Sequence, residues 1–392
     1  MTPFPLACLA YLGLALPGST LGLLWPSMRV TLHAPLAALG LLLAAGTVAS
    51  VVASAAAGRM LQRLPVGPLL GVGVAMVSAA LVAEAAAPAL WVLVARATLF
   101  SLGFGTVDAA LNAHAAHRFG ARQVNWMHAS YGLGATVGPL VVTVMRTHGA
   151  SWRGVEGVFA VVLAALALFF AYVRRAWGGT VDAAADEPAR RPPRPAGAAA
   201  RTPRAAFVGA LAFTAIETGI ESGAGIWGFV FLTSGRGLAP AAAGVAVSAY
   251  WAMMVVGRAV LGPVAERVGA TRVLGAAVAG VALGAAVMSV PGPGAVAVAG
   301  MVLLGLAAAP VFPLLTLTTA QRLSGADSAE TTRLVAWQVA ASTVGSAVLP
   351  SGFGLALGAV NAVALAPLLL AMALLMWGVY ALLSRGRRPA TA

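Results

Sequence analysis

Apolar tracts of about twenty residues follow one another along almost the whole chain, and most of the arginines fall in the short polar connectors between them. A bilayer core is crossed by about 20 mostly apolar residues in a helix. The pattern therefore predicts twelve spans. The first six are Leu6–Trp25, Leu36–Ala57, Gly67–Ala87, Leu90–Asn112, Trp126–Met145 and Val155–Val173. The second six are Ala205–Leu232, Ala239–Val260, Arg272–Pro291, Ala295–Thr319, Leu334–Gly354 and Asn361–Leu383. Pro88, the run Pro291-Gly292-Pro293 and Gly358 break the chain at the shortest connectors, those after the third, ninth and eleventh spans.

A short motif repeats between the halves. Gly58-Arg59-Met60-Leu61-Gln62-Arg63 returns in altered form as Gly262-Pro263-Val264-Ala265-Glu266-Arg267, sharing Gly-x-x-x-(polar)-Arg. Each copy interrupts an apolar tract at an equivalent place, which predicts two similarly built halves, an organisation common among secondary transporters. Between them, Arg174 to Arg204 is the one sizeable polar stretch, with Asp182, Asp186, Glu187 and a Pro-Pro pair. It cannot bury a core and reads as a flexible cytoplasmic linker. The expected organisation is an N-terminal six-helix bundle over 1–173, a linker over 174–204 and a C-terminal six-helix bundle over 205–392.

Composition agrees with a membrane protein: 60% of the residues are hydrophobic and 9% charged, against roughly a quarter charged in soluble domains. The net charge of +13 suggests nucleic acid at first sight, but no separate basic domain exists to bind it. The arginines instead set topology. With the N-terminus inside, eighteen fall in inner segments and four (Arg29, Arg146, Arg153, Arg236) in outer ones, while Arg96 and Arg258 lie within spans. Both termini are expected on the cytoplasmic side of a bacterial inner membrane. Met1 to Ala7 lacks a basic n-region, so the first apolar tract reads as a helix rather than a cleavable signal. The lone Cys8 excludes an internal disulfide and any cysteine-built metal site. No cofactor, metal or nucleic-acid partner is expected, and a monomer in the lipid bilayer is.

Polar groups within spans are costly, about 2.5 kcal/mol or more for a charge at the bilayer centre, so each needs a reason. Asp108 and Asn112 lie four apart on one face of the fourth span, with Asp108 about 15 Å of helix from Arg118 and so near mid-membrane. His128 and Tyr131 share a face of the fifth span, and Glu217 and Glu221 a face of the seventh. Two carboxylates one turn apart in a low dielectric cannot both ionise cheaply, so that pair is a candidate proton carrier. Each group also has a structural reading. Arg96 can snorkel or pair with Glu84, Arg258 sits within a turn of the cytoplasmic end, Asn112 can bond between helices, and a single histidine is usually a packed core residue. Trp227 and Trp251 stand beside polar residues, where an aromatic face can carry the C–H side of a sugar, though packing is the commoner role.

These residues resemble the major facilitator superfamily, and within it the fucose:proton symporter branch and the related sodium-dependent glucose transporter-like proteins. The repeated Gly58/Gln62/Arg63 and Gly262/Glu266/Arg267 look like the superfamily's gating loop motif after the second and eighth helices. Asp108-Ala109-Ala110-Leu111-Asn112 is similar to the branch's fourth-helix acid-x-x-x-Asn, and His128-Ala129-Ser130-Tyr131-Gly132-Leu133-Gly134 to the segment that follows it. Gly219-Ile220-Glu221 with Trp227, Tyr250-Trp251 with Gly257-Arg258, Phe312-Pro313 and Gly345 to Pro350 resemble later signatures. The resemblance implies an all-α membrane protein in which two pseudo-symmetric six-helix bundles give alternating access to a solute. It implies proton coupling at Asp108 and a solute site including Asn112, His128 and Tyr131. The symporter's first-helix aspartate has no counterpart, that helix offering Ser19 and Thr20; Glu217, outside the pattern, is the candidate substitute.

The expected function is proton-coupled symport of a monosaccharide or similar small polar solute, with coupling at Asp108, Glu221 or Glu217 and solute contacts from Asn112, His128, Tyr131, Trp227 and Trp251. Sodium is the alternative coupling ion, and a proton-driven multidrug or metabolite exporter the alternative function. An enzyme is not expected: the chain has no His-Glu-x-x-His and no Gly-x-Ser-x-Gly.

Overall fold

The computed structural model describes residues 2–177, 204–322 and 328–385. Among the described residues there is no β-strand. The helices are α1 (Pro3–Gly18), α2 (Leu21–Thr31), α3 (Ala38–Arg63), α4 (Val66–Ala85), α5 (Leu90–Arg118), α6 (Ala121–Thr147) and α7 (Trp152–Tyr172) in the first half. The second half holds α8 (Arg204–Val230), α9 (Pro240–Val268), α10 (Ala270–Ser289), α11 (Gly294–Ala308), α12 (Val311–Arg322), α13 (Ser328–Ala359) and α14 (Leu365–Arg385).

These fourteen pieces make twelve membrane-length segments, because two of the expected spans are broken in the middle. The first divides at Ser19–Thr20 into α1 and α2, with Pro17 and Pro26 on either side. Thr20 Oγ1 donates to the Pro17 carbonyl at 2.9 Å and so satisfies part of the backbone that the break exposes. The tenth divides at Ala309–Pro310 into α11 and α12. Pro310 has no N–H for the Leu306 carbonyl one turn back. Gly257 of α9 lies against that freed oxygen, where a Cβ would come within 2.7 Å of it. Among the described residues, ten segments are long and apolar enough to cross a membrane by length and composition alone. Although α6 has 27 residues, it is more polar than these, for it carries His128, Ser130 and Tyr131.

The helices divide into two compact units. One gathers α1 to α7 with the opening Pro240–Ser248 of α9; the other gathers α8, the rest of α9 and α10 to α14. Within the units the same pairings recur. In the first, α1 packs on α6, α4 on α7 and α4 on α5; in the second, α8 packs on α13, α10 on α14 and α10 on α11. Two glycine contacts carry the correspondence into atomic detail. A Cβ on Gly103 would lie 2.6 Å from the Gly73 carbonyl, and one on Gly73 would lie 2.9 Å from that of Gly103. Gly284 and Gly300 repeat the arrangement between α10 and α11, at 2.9 and 2.7 Å. Without side chains at the crossing, the backbones of each pair come close enough for van der Waals and Cα–H···O contact, which drives helix association in lipid.

The linker expected over 174–204 begins docked. Arg174–Trp177 forms a 3-10 turn in which Trp177 is buried, with its ring edge-on to His114 at 5.2 Å. Packing of the first unit thus continues past the expected boundary at 173, because a tryptophan is worth burying and the Arg174 backbone lies against Gly67. Residues 178–203 of that linker lie outside the described residues.

Candidate functional site

The polar residues of the first unit converge from three helices. Tyr11 on α1 is buried, and its hydroxyl donates to Asp108 Oδ1 on α5 at 2.6 Å. Asn112, one turn along α5, donates from Nδ2 to the Tyr11 hydroxyl at 3.0 Å, to Asp108 Oδ1 at 3.0 Å and to the Asp108 carbonyl at 2.9 Å. From α6, His128 meets the Tyr11 ring at 5.3 Å between centroids, and Tyr131 meets it edge-on at 6.1 Å. Tyr131 also packs edge-on to Phe104 of α5 at 6.1 Å. His128 is exposed, whereas Asp108, Asn112 and Tyr131 are half-buried. Asp108 thus has two hydrogen-bond donors and no basic side chain among its described ion-pair partners, and the cluster offers hydroxyl, amide, imidazole and aromatic surface together.

Close packing explains this convergence. Gly134 of α6 lies against the Leu12 carbonyl of α1, and Gly138 against that of Leu16. These contacts draw α6 onto α1 at the level of Tyr11 and bring His128 and Tyr131 within reach of its ring. Tyr11 is the member that the sequence reading passed over. The signal was there, since it is the only tyrosine in the first span and a phenolic O–H deep in a bilayer requires a partner.

The second unit holds a separate set. Glu217 on α8 is buried, and neither carboxylate oxygen has a hydrogen-bond partner among the described residues. One turn on, Glu221 Oε1 stands 3.9 Å from Arg258 Nη2 of α9, and the Glu221 carbonyl accepts from the Tyr250 hydroxyl at 2.9 Å. Arg258, expected as a structural residue near a helix end, therefore ties α9 to α8. Trp251 lies half-buried against Gly225, and its indole nitrogen has no hydrogen-bond partner among the described residues. Trp227 is not placed to contact a solute: it is fully buried, and its N–H donates to the Pro350 carbonyl at 2.7 Å, bracing α8 against α13. A helix-facing indole amid glycines fills space, as Gly354 beneath its ring shows.

The Glu221–Arg258 pair gives a stability prediction. Glu221→Gln leaves Arg258 without its acid, but the side chains retain 19% and 35% exposure, so the loss should be about 1 kcal/mol rather than the several of a fully buried pair. Thermal denaturation of Glu221→Gln, Arg258→Gln and the double variant in one detergent checks this. The double variant should be more stable than the two single effects added together, and strict additivity would show that the pair is not coupled.

The gating motif is only partly described. The surroundings of Gly58 and the side chain of Gln62 lie outside what is described. Arg63 ends α3, Glu266 and Arg267 stand in the last turn of α9, and all three are exposed with no ion pair to another described residue. Arginine at a helix C-terminus complements the dipole there, and Gly269, at φ 104°, turns the chain from α9 into α10.

Among the described residues, twelve membrane-length segments in two units with recurring internal pairings make a polytopic membrane fold. The sequence matches the Major Facilitator Superfamily over residues 6–350, and the chain belongs to that superfamily. Its members carry small-molecule solutes across membranes and are not enzymes. No curated protein matches the chain significantly. Solved structures do. A mutant of the nucleoside transporter NupG is 14% identical with a TM-score of 0.75, covering 96% of this chain and 98% of that one. A bacterial homologue of the human lysosomal transporter Spinster, captured inward-facing and occupied, is 13% identical with a TM-score of 0.73, covering 99% and 98%. At such identities the likeness is one of fold.

Proposed function

We propose that this transporter is a proton-coupled symporter of a monosaccharide or similarly small polar solute, working by alternating access with both termini cytoplasmic. The observation that carries the reading is the Tyr11–Asp108–Asn112 cluster. A carboxylate half-buried in a membrane helix accepts from a hydroxyl and an amide here and makes no ion pair among the described residues, so its charge is costly to keep. Taking up a proton removes that charge and lets the helix face change its surroundings. Releasing it restores the charge, so proton binding and access become linked. Around this acid, Asn112, His128 and Tyr131 supply hydrogen-bond partners and aromatic edges suited to a hydroxyl-rich solute. In the second unit, and separately from this cluster, Trp251 is kept as a candidate solute contact for its half-buried indole. Glu217 and Glu221 remain the second-rank carriers of the proton.

The testing experiment is uptake into proteoliposomes holding the purified protein, with labelled monosaccharides and nucleosides and with proton and sodium gradients imposed separately. Accumulation of a monosaccharide under a proton gradient alone is expected. Sodium-dependent accumulation would replace the proton as coupling ion, and proton-driven expulsion of apolar compounds without sugar uptake would replace symport by export.

A further inference from the structure

Another acid cluster lies in the first unit, away from the residues used above. Glu84 in the last turn of α4 and Glu156 near the start of α7 are 0% and 1% exposed, and Arg96 of α5 is 6% exposed. Arg96 Nε forms an ion pair with Glu84 Oε2, and its guanidinium lies over the Phe100 ring, 4.8 Å from the centroid. Two contacts fix the level of α7 beside α4: Ser78 Oγ donates to the Ala160 carbonyl at 2.8 Å, and Arg153 Nη2 to the Ala87 carbonyl at 2.7 Å. Between those contacts the antiparallel helices bring Glu84 and Glu156 to the same height. Glu156 lies within electrostatic reach of Glu84 and Arg96, and its Oε2 is buried with no hydrogen-bond partner among the described residues.

The charges do not balance. Two buried carboxylates and one buried guanidinium lie at this end, and no other cation there makes an ion pair with either acid among the described residues. Arg153 is half-buried, with its guanidinium held at the Ala87 carbonyl and over the Trp152 ring at 4.2 Å. On α6, Arg146 is exposed and donates to the Ala150 carbonyl, while His148 is exposed against the Val144 carbonyl. Arg29, in the last turn of α2, is half-buried and has no acidic partner among the described residues. From α1, the titratable groups are Cys8 and Tyr11, and Tyr11 is bonded to Asp108. An ionised Glu84 and Glu156 would leave one negative charge unpaired in an apolar interior, among the costliest arrangements a fold can hold. One proton removes the imbalance, and a carboxyl so protonated becomes a donor to the other's oxygen.

The geometry points to a second proton-binding site in the first bundle, in which Glu84 and Glu156 share one proton beside Arg96. It is separate from Asp108. Arg96 and Asp108 are twelve residues apart on α5, about 18 Å of helix at 1.5 Å per residue. Phe100 and Phe104, their rings stacked at 6.4 Å, fill the same helix face between them. The two sites can therefore exchange protons independently. Occupancy of this site by a proton requires neither a bound solute nor coupled transport.

Infrared spectroscopy of the purified full-length protein with isotope-labelled glutamate reads the site directly, through the carbonyl stretch of protonated carboxyl groups at neutral pH. Glu84→Gln and Glu156→Gln should each lose one protonated carboxyl, since the remaining acid then balances Arg96. The double variant should lose one and not two. Arg96→Gln should move the other way and gain one, which keeps the test open should a glutamine variant fold poorly. Asp108→Asn should leave the glutamate signal unchanged, and sodium should not displace it. Losses that add to two in the double variant, no loss in either single variant, no gain in Arg96→Gln, or displacement by sodium would each overturn the shared proton.

Discussion

Asp108→Asn is expected to abolish gradient-driven accumulation while leaving counterflow of the same solute intact. One proton moving with each solute through a 100 mV potential contributes about 2.3 kcal/mol, enough to sustain roughly fifty-fold accumulation. An asparagine cannot exchange that proton, so the inside-to-outside ratio should fall to about one by the same arithmetic. Counterflow needs only a protein that binds solute and reorients. The amide keeps an oxygen where the Tyr11 hydroxyl donates, at 2.6 Å in the wild type, so the local framework survives the change. Both measurements belong to one proteoliposome preparation, with counterflow serving as the control for folding. Undiminished accumulation in Asp108→Asn would remove this residue as the coupling group. Glu217→Gln and Glu221→Gln in the same assay would then decide whether α8 carries the proton.

Much of the architecture could be read from the chain because bilayer thickness sets a length scale that apolar runs must match. The breaks within the first and tenth segments were not anticipated, although Pro17, Pro26 and Pro310 mark them. A run of apolar residues gives the same hydropathy whether its helix is straight or interrupted. The recurrent helix pairing was heralded by the Gly58/Gly262 repeat, but the contacts that realise it, Gly73 with Gly103 and Gly284 with Gly300, do not stand out in sequence. Glycine is frequent here, and only the partner helix shows which ones are crossings.

The site was legible one helix at a time. Spacing puts Asp108 beside Asn112 and His128 beside Tyr131, since residues three or four apart share a face. It says nothing about the third helix they meet, so the search for an acid on the first helix missed Tyr11. That hydroxyl is the first-helix group that stands beside Asp108. Trp227 fails for a related reason. A tryptophan near a glutamate looks the same in sequence whether its ring faces a solute or, as here, the Pro350 carbonyl of a neighbouring helix. Glu156 was not singled out at all, because the charges within its reach, Glu84 and Arg96, lie on two other helices.

Solute affinity should depend most on Asn112 and His128, and for different reasons. Asn112 is the hub of the cluster, its Nδ2 reaching both the Tyr11 hydroxyl and Asp108 Oδ1 at 3.0 Å. Asn112→Ala removes a potential solute partner and also a donor from two polar atoms, each loss costing about 1–3 kcal/mol when the group is left unpaired. Binding should weaken by roughly ten- to a hundred-fold, because every 1.4 kcal/mol is a factor of ten. His128 is exposed and touches the cluster through its ring on Tyr11 at 5.3 Å. His128→Ala should therefore leave thermal stability within about 0.5 kcal/mol of wild type, as for other exposed positions, while affinity falls by about tenfold through one lost hydrogen bond to the solute. Tyr11→Phe separates positioning from contact. It keeps the ring against His128 and Tyr131 but removes the hydroxyl that Asn112 and Asp108 share, so affinity should fall even though Tyr11 itself is buried. Calorimetry on the purified variants, using whichever solute the uptake panel selects, gives the three affinities beside their melting temperatures. If His128→Ala and Asn112→Ala both bind as the wild type does, the solute is held by other residues, and Trp251 becomes the first to replace.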